Sequence, residues 1–130
     1  MTKPTVLFLC THNAGRSQMA LGYFEHLAGD RAIAYSGGSE PADQVNPAAV
    51  EAMAEVGIDI SSQQPKRWTQ EMVEAADVVV SMGCGDACPW MPSKVFLDWE
   101  IPDPKNMNEE EFRKVRDLIK EKVINLLSVL

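Results

Sequence analysis

The sequence predicts an α/β sandwich of three layers with a mainly parallel central sheet of about four strands. Three observations carry this reading. Short runs rich in Val, Ile, Leu and Phe alternate along the chain with longer stretches of helical periodicity. The central strands are apolar throughout, Val6-Leu7-Phe8-Leu9 and Val78-Val79-Val80, as strands covered on both faces are. The residues with the most chemistry in them follow strands, at the edge where parallel sheets bind ligands.

Each element has a local reason. Val6–Cys10 is the first strand; a polar gap from Thr11 to Gly15 follows, and Arg16-Ser17 opens a helix that runs to Ala28 and stops at Gly29. Ala20, Tyr23 or Phe24, and Leu27 make its inward side. Arg31–Ser36 reads as the second strand, with Gly37-Gly38-Ser39-Glu40-Pro41 as the turn after it. Asn46-Pro47 supplies an N-cap and a first-position proline for a helix whose apolar face is Ala48, Ala49, Ala52, Met53 and Val56, up to Gly57. Residues 58–68 form a polar connection in which Lys66 and Arg67 read as a solvated basic pair. Thr69 opens a short helix through Ala75, and Asp77–Met82 is the next strand. Beyond Gly83–Pro92, Lys94–Leu97 is a brief strand and Asp98–Pro104 a loop stiffened by prolines. The helix from Asn108 to Leu127 buries Phe112, Val115, Leu118 or Ile119, Val123, Leu126 and Leu127.

Composition narrows the function. At 130 residues, 45% hydrophobic and without repeats or linkers, the chain is expected to form one domain over residues 1–130. A net charge of −7 disfavours nucleic acid or an anionic membrane as partner, so any anion site must be local. No run approaches the roughly 18 apolar residues of a membrane span, and Met1-Thr2-Lys3-Pro4 leads straight into the first strand, so a cytoplasmic protein is expected. Three cysteines make no disulfide framework, which leaves catalysis, redox exchange or a metal.

The loop Thr11-His12-Asn13-Ala14-Gly15-Arg16-Ser17 is the candidate oxyanion site. A loop of this size at a helix N-terminus can wrap backbone N–H groups around a tetrahedral oxyanion, with the helix dipole behind it and the Arg16 guanidinium giving paired hydrogen bonds. The same donors favour the charged form of a sulfur, which makes Cys10 the candidate nucleophile. Gly15 gives the loop room to turn, Asn13 tolerates left-handed dihedrals or ties the loop down through its amide, and the Ser17 hydroxyl falls within reach of the Cys10 sulfur. Ser36, after the second strand, is a second candidate for supporting the loop. The alternative is a buried strand-end cysteine beside a solvated arginine.

Cys84 and Cys88 are four residues apart, a spacing that on one turn of helix puts their Cα atoms about 6 Å apart, inside the disulfide range. Gly83, Gly85 and Pro89 around them suit a segment that changes conformation, so the pair can relay oxidation away from Cys10. Two inert buried thiols and a zinc site are the other readings; zinc wants four ligands, and the chain has three cysteines and two histidines without zinc-type spacing. Asp103, between Pro102 and Pro104, is either a general acid toward an oxygen leaving the oxyanion or a surface turn.

The segment Cys10–Ser17, the late Asp103-Pro104 and the order of elements between them resemble the low-molecular-weight protein tyrosine phosphatase fold. Within it, Arg16-Ser17-Gln18-Met19-Ala20, Tyr35-Ser36-Gly37-Gly38, Val45-Asn46-Pro47 and the Cys84/Cys88 pair resemble the thioredoxin-coupled arsenate reductases, over nearly the whole chain. The resemblance implies that Cys10 attacks arsenate held by the loop and Arg16, and that Asp103 protonates the departing oxygen. Cys84 then attacks the Cys10 sulfur as arsenite leaves, and Cys88 attacks Cys84, leaving a Cys84–Cys88 disulfide for thioredoxin. It implies no cofactor and arsenic detoxification as the setting; the chain is expected to be a monomer.

Two departures stand out. The second and third cysteines are closer together than in the family members best matched by the loop, and some related reductases use a low-molecular-weight thiol as reductant. The family's potassium site near Asn13 and Ser36 uses acidic residues where this chain has Leu21 and Pro65, so no metal of that kind is expected. The alternative function is a phosphatase for phosphotyrosine or small phosphoesters, which the loop, Arg16 and Asp103 serve equally well through a phosphocysteine. Cys84 and Cys88 discriminate, since hydrolysis has no need of them, as does Gln18 where the phosphatase branch usually has proline. A third class, an oxyanion-binding or redox-sensing module without turnover, has no marked interaction surface; Trp90 and Trp99 are candidates for reductant docking or for core packing.

Overall fold

In the computed structural model, which describes residues 3–82, 95–102 and 108–130, the strands β1 (Thr5–Cys10), β2 (Ile33–Gly38), β3 (Val78–Ser81) and β4 (Val95–Asp98) form one parallel sheet in the order β2-β1-β3-β4. β1 is central and every one of its residues is buried, as its unbroken apolar run requires. From β1 the chain passes to β2 on one side and then crosses to β3 on the other, so β1 ends at the point where strand order reverses. Cys10 is the last residue of that strand.

The helices α1 (Arg16–Ala28), α2 (Pro47–Ala54) and α4 (Glu109–Leu127) cover one face, packing on Val6, Phe8, Val78 and Val80. The short α3 (Gln70–Ala75) covers the other, where Val73 and Ala76 meet Leu7, Leu9 and Val79 with Trp68 and Phe96 at the margin. The expected three layers are present. Three helices start where expected from sequence, each on a side-chain cap, of which the one at Asn46 is the cap expected: Asn46, Thr69 and Asn108 accept from the backbone N–H of Ala48, Met72 and Glu111 at 2.9, 3.1 and 2.8 Å. Trp99 is a core residue, its ring 5.9 Å from that of Phe8, which in turn meets Phe24 edge-on at 5.6 Å. Among the described residues no helix is long and apolar enough to cross a membrane.

Some expectations fail. β2 begins and ends two residues later than its composition suggests, because Gly37 and Gly38 pair with Leu9 and Cys10 instead of turning away. Leu27 and Val56, expected on inward faces, are 37% and 38% exposed. α1 buries the rows Met19–Tyr23 and Ala20–Phe24–Ala28, which leaves Leu27 at the margin, and α2 ends at Ala54, before Val56. Ala48 is likewise exposed, and α2 buries only Ala49, Ala52 and Met53.

Candidate active site

The loop from Thr11 to Gly15 joins the end of β1 to the N-terminus of α1; the Gly15 carbonyl accepts from Met19 N–H of α1 at 2.9 Å, and the four before it are engaged by other groups. Thr11 O accepts from the Glu40 N–H at 2.8 Å, His12 O from Ala42 at 3.0 Å and Ala14 O from Asn46 at 2.8 Å. The Asn13 carbonyl takes the Gln18 side-chain amide at 2.8 Å. With the carbonyls held outward, the N–H groups of His12, Asn13, Ala14 and Gly15 meet no acceptor among the described residues. Donors turned inward at the positive end of a 13-residue helix make an anion site.

The left-handed turn falls on Asn13, at φ 50°, and not on the glycine; Gly15 caps α1 at φ −128°. The Asn13 side chain starts a hydrogen-bond chain whose first links have a direction fixed by chemistry. The backbone N–H of Lys66 can only donate, so the atom it meets at 2.9 Å is Asn13 Oδ1, and Nδ2 therefore faces Ser17 Oγ at 2.6 Å. Ser17 Oγ lies 2.9 Å from the Cys10 sulfur, and toward the thiolate, which carries no hydrogen, the hydroxyl is the donor. A hydroxyl donated to sulfur stabilises negative charge on it. Asn13 and Ser17 are fully buried and Cys10, a free thiol, is 2% exposed, so no bulk water competes for these bonds.

Arg16 is 8% exposed, and its Nη1 donates to the Ile101 carbonyl at 3.3 Å. This brings Ile101 to the anion site. Asp103 lies outside the described residues, as do Cys84, Cys88 and Trp90. On the other side, Met82 N–H donates to the Leu9 carbonyl at 2.7 Å, so the chain leaves β3 beside the residue that precedes Cys10. His12 faces outward, its Nδ1 3.0 Å from the Glu40 carbonyl; since that oxygen only accepts, Nδ1 carries the hydrogen.

Ser36 is fully buried on β2, but its hydroxyl has no hydrogen-bond partner among the described residues. Support from that strand comes two residues later. A Cβ on Gly38 would lie 2.6 Å from Thr11 O and 2.9 Å from Cys10 O, so only glycine lets β2 approach this closely. The contributions of Glu40, Gln63, Gln64 and Lys66 were not legible in the sequence. The Lys66 contact spans 53 residues and is made by the backbone, which carries no side-chain signal, and Arg67 reaches the Ser39 carbonyl at 3.2 Å instead of an anion.

Comparison with known proteins agrees with this geometry. Residues 5–130 match the low molecular weight phosphotyrosine protein phosphatase family. Arsenate reductase 2 of Staphylococcus epidermidis is 45% identical over 124 residues, covering 92% of this chain and 93% of that protein. A thioredoxin-dependent arsenate reductase from Corynebacterium glutamicum superposes with a TM-score of 0.87 at 38% identity over 98% of this chain; this chain spans only 61% of that protein's length. A low molecular weight protein tyrosine phosphatase from T. tengcongensis superposes at 0.88 with 28% identity, over 98% of this chain and all of the other. The chain belongs to the low molecular weight phosphotyrosine protein phosphatase family, within which it groups with arsenate reductases.

Proposed function

We propose that this protein reduces arsenate to arsenite, with Cys10 as nucleophile and thioredoxin as the final reductant, in the cytoplasm. The loop N–H groups and Arg16 hold the oxyanion, and the Cys10 thiolate attacks arsenic. Asp103 gives a proton to the oxygen that leaves as water. The Cys84 thiolate then attacks the Cys10 sulfur: the S–S bond forms, the As–S bonding pair passes to arsenic, and As(V) departs as As(III). Cys88 attacks Cys84 and expels the Cys10 thiolate, and a thioredoxin dithiol reduces the Cys84–Cys88 disulfide with two electrons.

The observation that carries this reading is the exit of β3. Met82 is bonded to the residue before Cys10, and the second cysteine follows two positions later in the sequence. The kinship with reductases supports the same substrate. The loop also supports phosphoester hydrolysis, and the superposition on a tyrosine phosphatase makes that the second reading.

Cys84→Ser separates them. Under the relay it keeps slow hydrolysis of p-nitrophenyl phosphate but stops multiple-turnover arsenate reduction, measured as arsenite formed. Undiminished reduction by Cys84→Ser would remove Cys84 from the mechanism.

A further inference from the structure

Gln18 sits one residue past the loop serine, on the first turn of α1, and is 0% exposed. Both ends of its amide are engaged. Nε2 donates to the Asn13 carbonyl at 2.8 Å and to the Gln64 carbonyl at 3.1 Å, while Oε1 accepts from Gln63 Nε2 at 2.7 Å. Two carbonyls that can only accept fix which end of the Gln18 amide is which. Gln63 Nε2 also lies 3.1 Å from the Gln18 carbonyl, and three residues on, the Lys66 N–H holds Asn13 Oδ1. Residues 63–66 therefore grip Asn13 twice, at the main chain through Gln18 and at the side chain directly. The stretch leading to this grip is itself seated on α1: Ile60 is fully buried, and a Cβ on Gly22 would lie 2.7 Å from its Cγ2.

The gripped residue is the strained one. Asn13 alone among the described non-glycine residues has a positive φ, a conformation that asparagine tolerates better than most L-residues but that persists only where its surroundings over-determine it. If Asn13 relaxed to negative φ, its amide would swing away from Ser17 and the adjacent peptide N–H groups would turn out of the anion site. We propose that Gln18, held in place by Gln63, is a positioning residue for the reaction: it locks the Asn13 turn, which keeps the Ser17 hydroxyl aimed at the Cys10 sulfur. This rests on reading Cys10 as the nucleophile and applies to either oxyanion chemistry.

The test uses the full chain carrying Cys84→Ser and Cys88→Ser, in which Cys10 is the remaining thiol. Alkylation by iodoacetamide is timed at about pH 7 and about pH 10, on either side of the ordinary thiol pKa of about 8.5. Gln18→Met keeps the volume and removes the amide. It should slow alkylation about fivefold or more at the lower pH and by less than about twofold at the higher, with an unchanged far-ultraviolet circular dichroism spectrum. Gln63→Ala, at a half-buried position, should act in the same direction by about two- to threefold.

Folded variants that alkylate at the parent rate at both pH values would overturn the proposal. So would an equal loss at both, which signals a closed site and not a misdirected hydroxyl. Should Gln18→Met fail to fold, Gln63→Ala decides by the same criteria. The readout is independent of arsenate, so a protein that reduces none yet shows this pattern loses the proposed function and keeps the positioning role.

Discussion

Gly38→Ala should damage catalysis through backbone displacement alone. The added Cβ would stand 2.6 Å from Thr11 O, about 0.8 Å inside the 3.4 Å where ordinary contact begins, and 2.9 Å from Cys10 O. Neither obstacle is a flexible side-chain end. Thr11 O is fixed by the Glu40 N–H at 2.8 Å, and Gly38 is held by its own bonds to Lys66 O and Trp68 N at 2.9 and 3.2 Å. Relief therefore moves the loop by several tenths of an ångström. Overpacking of this kind costs about 1–3 kcal/mol, or roughly 4–12 °C in Tm for a domain of this size. A displacement approaching 1 Å at reacting groups can cost up to about 100-fold in rate, so kcat/KM for p-nitrophenyl phosphate should fall about 10- to 100-fold. Hydrolysis is the right assay because it needs the loop but not Cys84 or Cys88. Gly57→Ala is the control: φ is 82° there, so stability should drop by roughly 1 kcal/mol, but no atom lies within 4 Å of the new Cβ and the rate should hold. A Gly38→Ala enzyme with kcat/KM within twofold of the parent and an unaltered Tm would refute the argument.

Ser17→Ala should lower kcat about tenfold or more by removing the donor to Cys10. It should also cost about 1–3 kcal/mol, because it leaves the buried Asn13 Nδ2 without its acceptor; equal Tm values for variant and parent would contradict the network. Acid stability should depend on Glu55, whose carboxyl is pulled from its ordinary 4.5 to about 2, first by the hydrogen bonds from Arg113 and then by those from Arg116. A carboxyl whose folded pKa is depressed contributes stability above its unfolded value that is lost as the pH falls through the folded one, here between roughly pH 4.5 and 2. Glu55→Gln should make Tm fall less steeply than the parent's across that window, and superimposable slopes would show that the clamp between α2 and α4 contributes nothing.

What the sequence made legible was local. The apolar run ending in Cys10 and the helix starts at Arg16, Asn46, Thr69 and Asn108 are each written in a few neighbouring residues, and each falls where it was expected. β2 was misplaced for a physical reason: Gly37-Gly38 has the composition of a turn, but the glycines serve close approach to Trp68 and to the loop carbonyls. Arg116 was invisible for a similar reason. It lies on the buried side of α4 at 8% exposure, where besides its neighbour Asp117 at 2.9 Å the Glu55 carboxylate and the Ala52 carbonyl, more than 60 residues away, accept its hydrogen bonds at 2.8 and 2.9 Å. The Asn13–Ser17–Cys10 chain could be suspected from spacing, but the orientation of the Asn13 amide is set by the Lys66 backbone and the Asn13 carbonyl is held by Gln18, which no local pattern announces.

We propose that this loop and its cysteines carry out reduction. The most direct measurement is arsenite formed from arsenate by the purified protein with thioredoxin, thioredoxin reductase and NADPH, run beside hydrolysis of p-nitrophenyl phosphate. Reduction through the cysteine relay gives sustained, arsenate-dependent NADPH oxidation with one arsenite per NADPH and only slow hydrolysis. Brisk hydrolysis with no arsenite, from thioredoxin or from a low-molecular-weight thiol, would contradict it and make the protein a phosphatase.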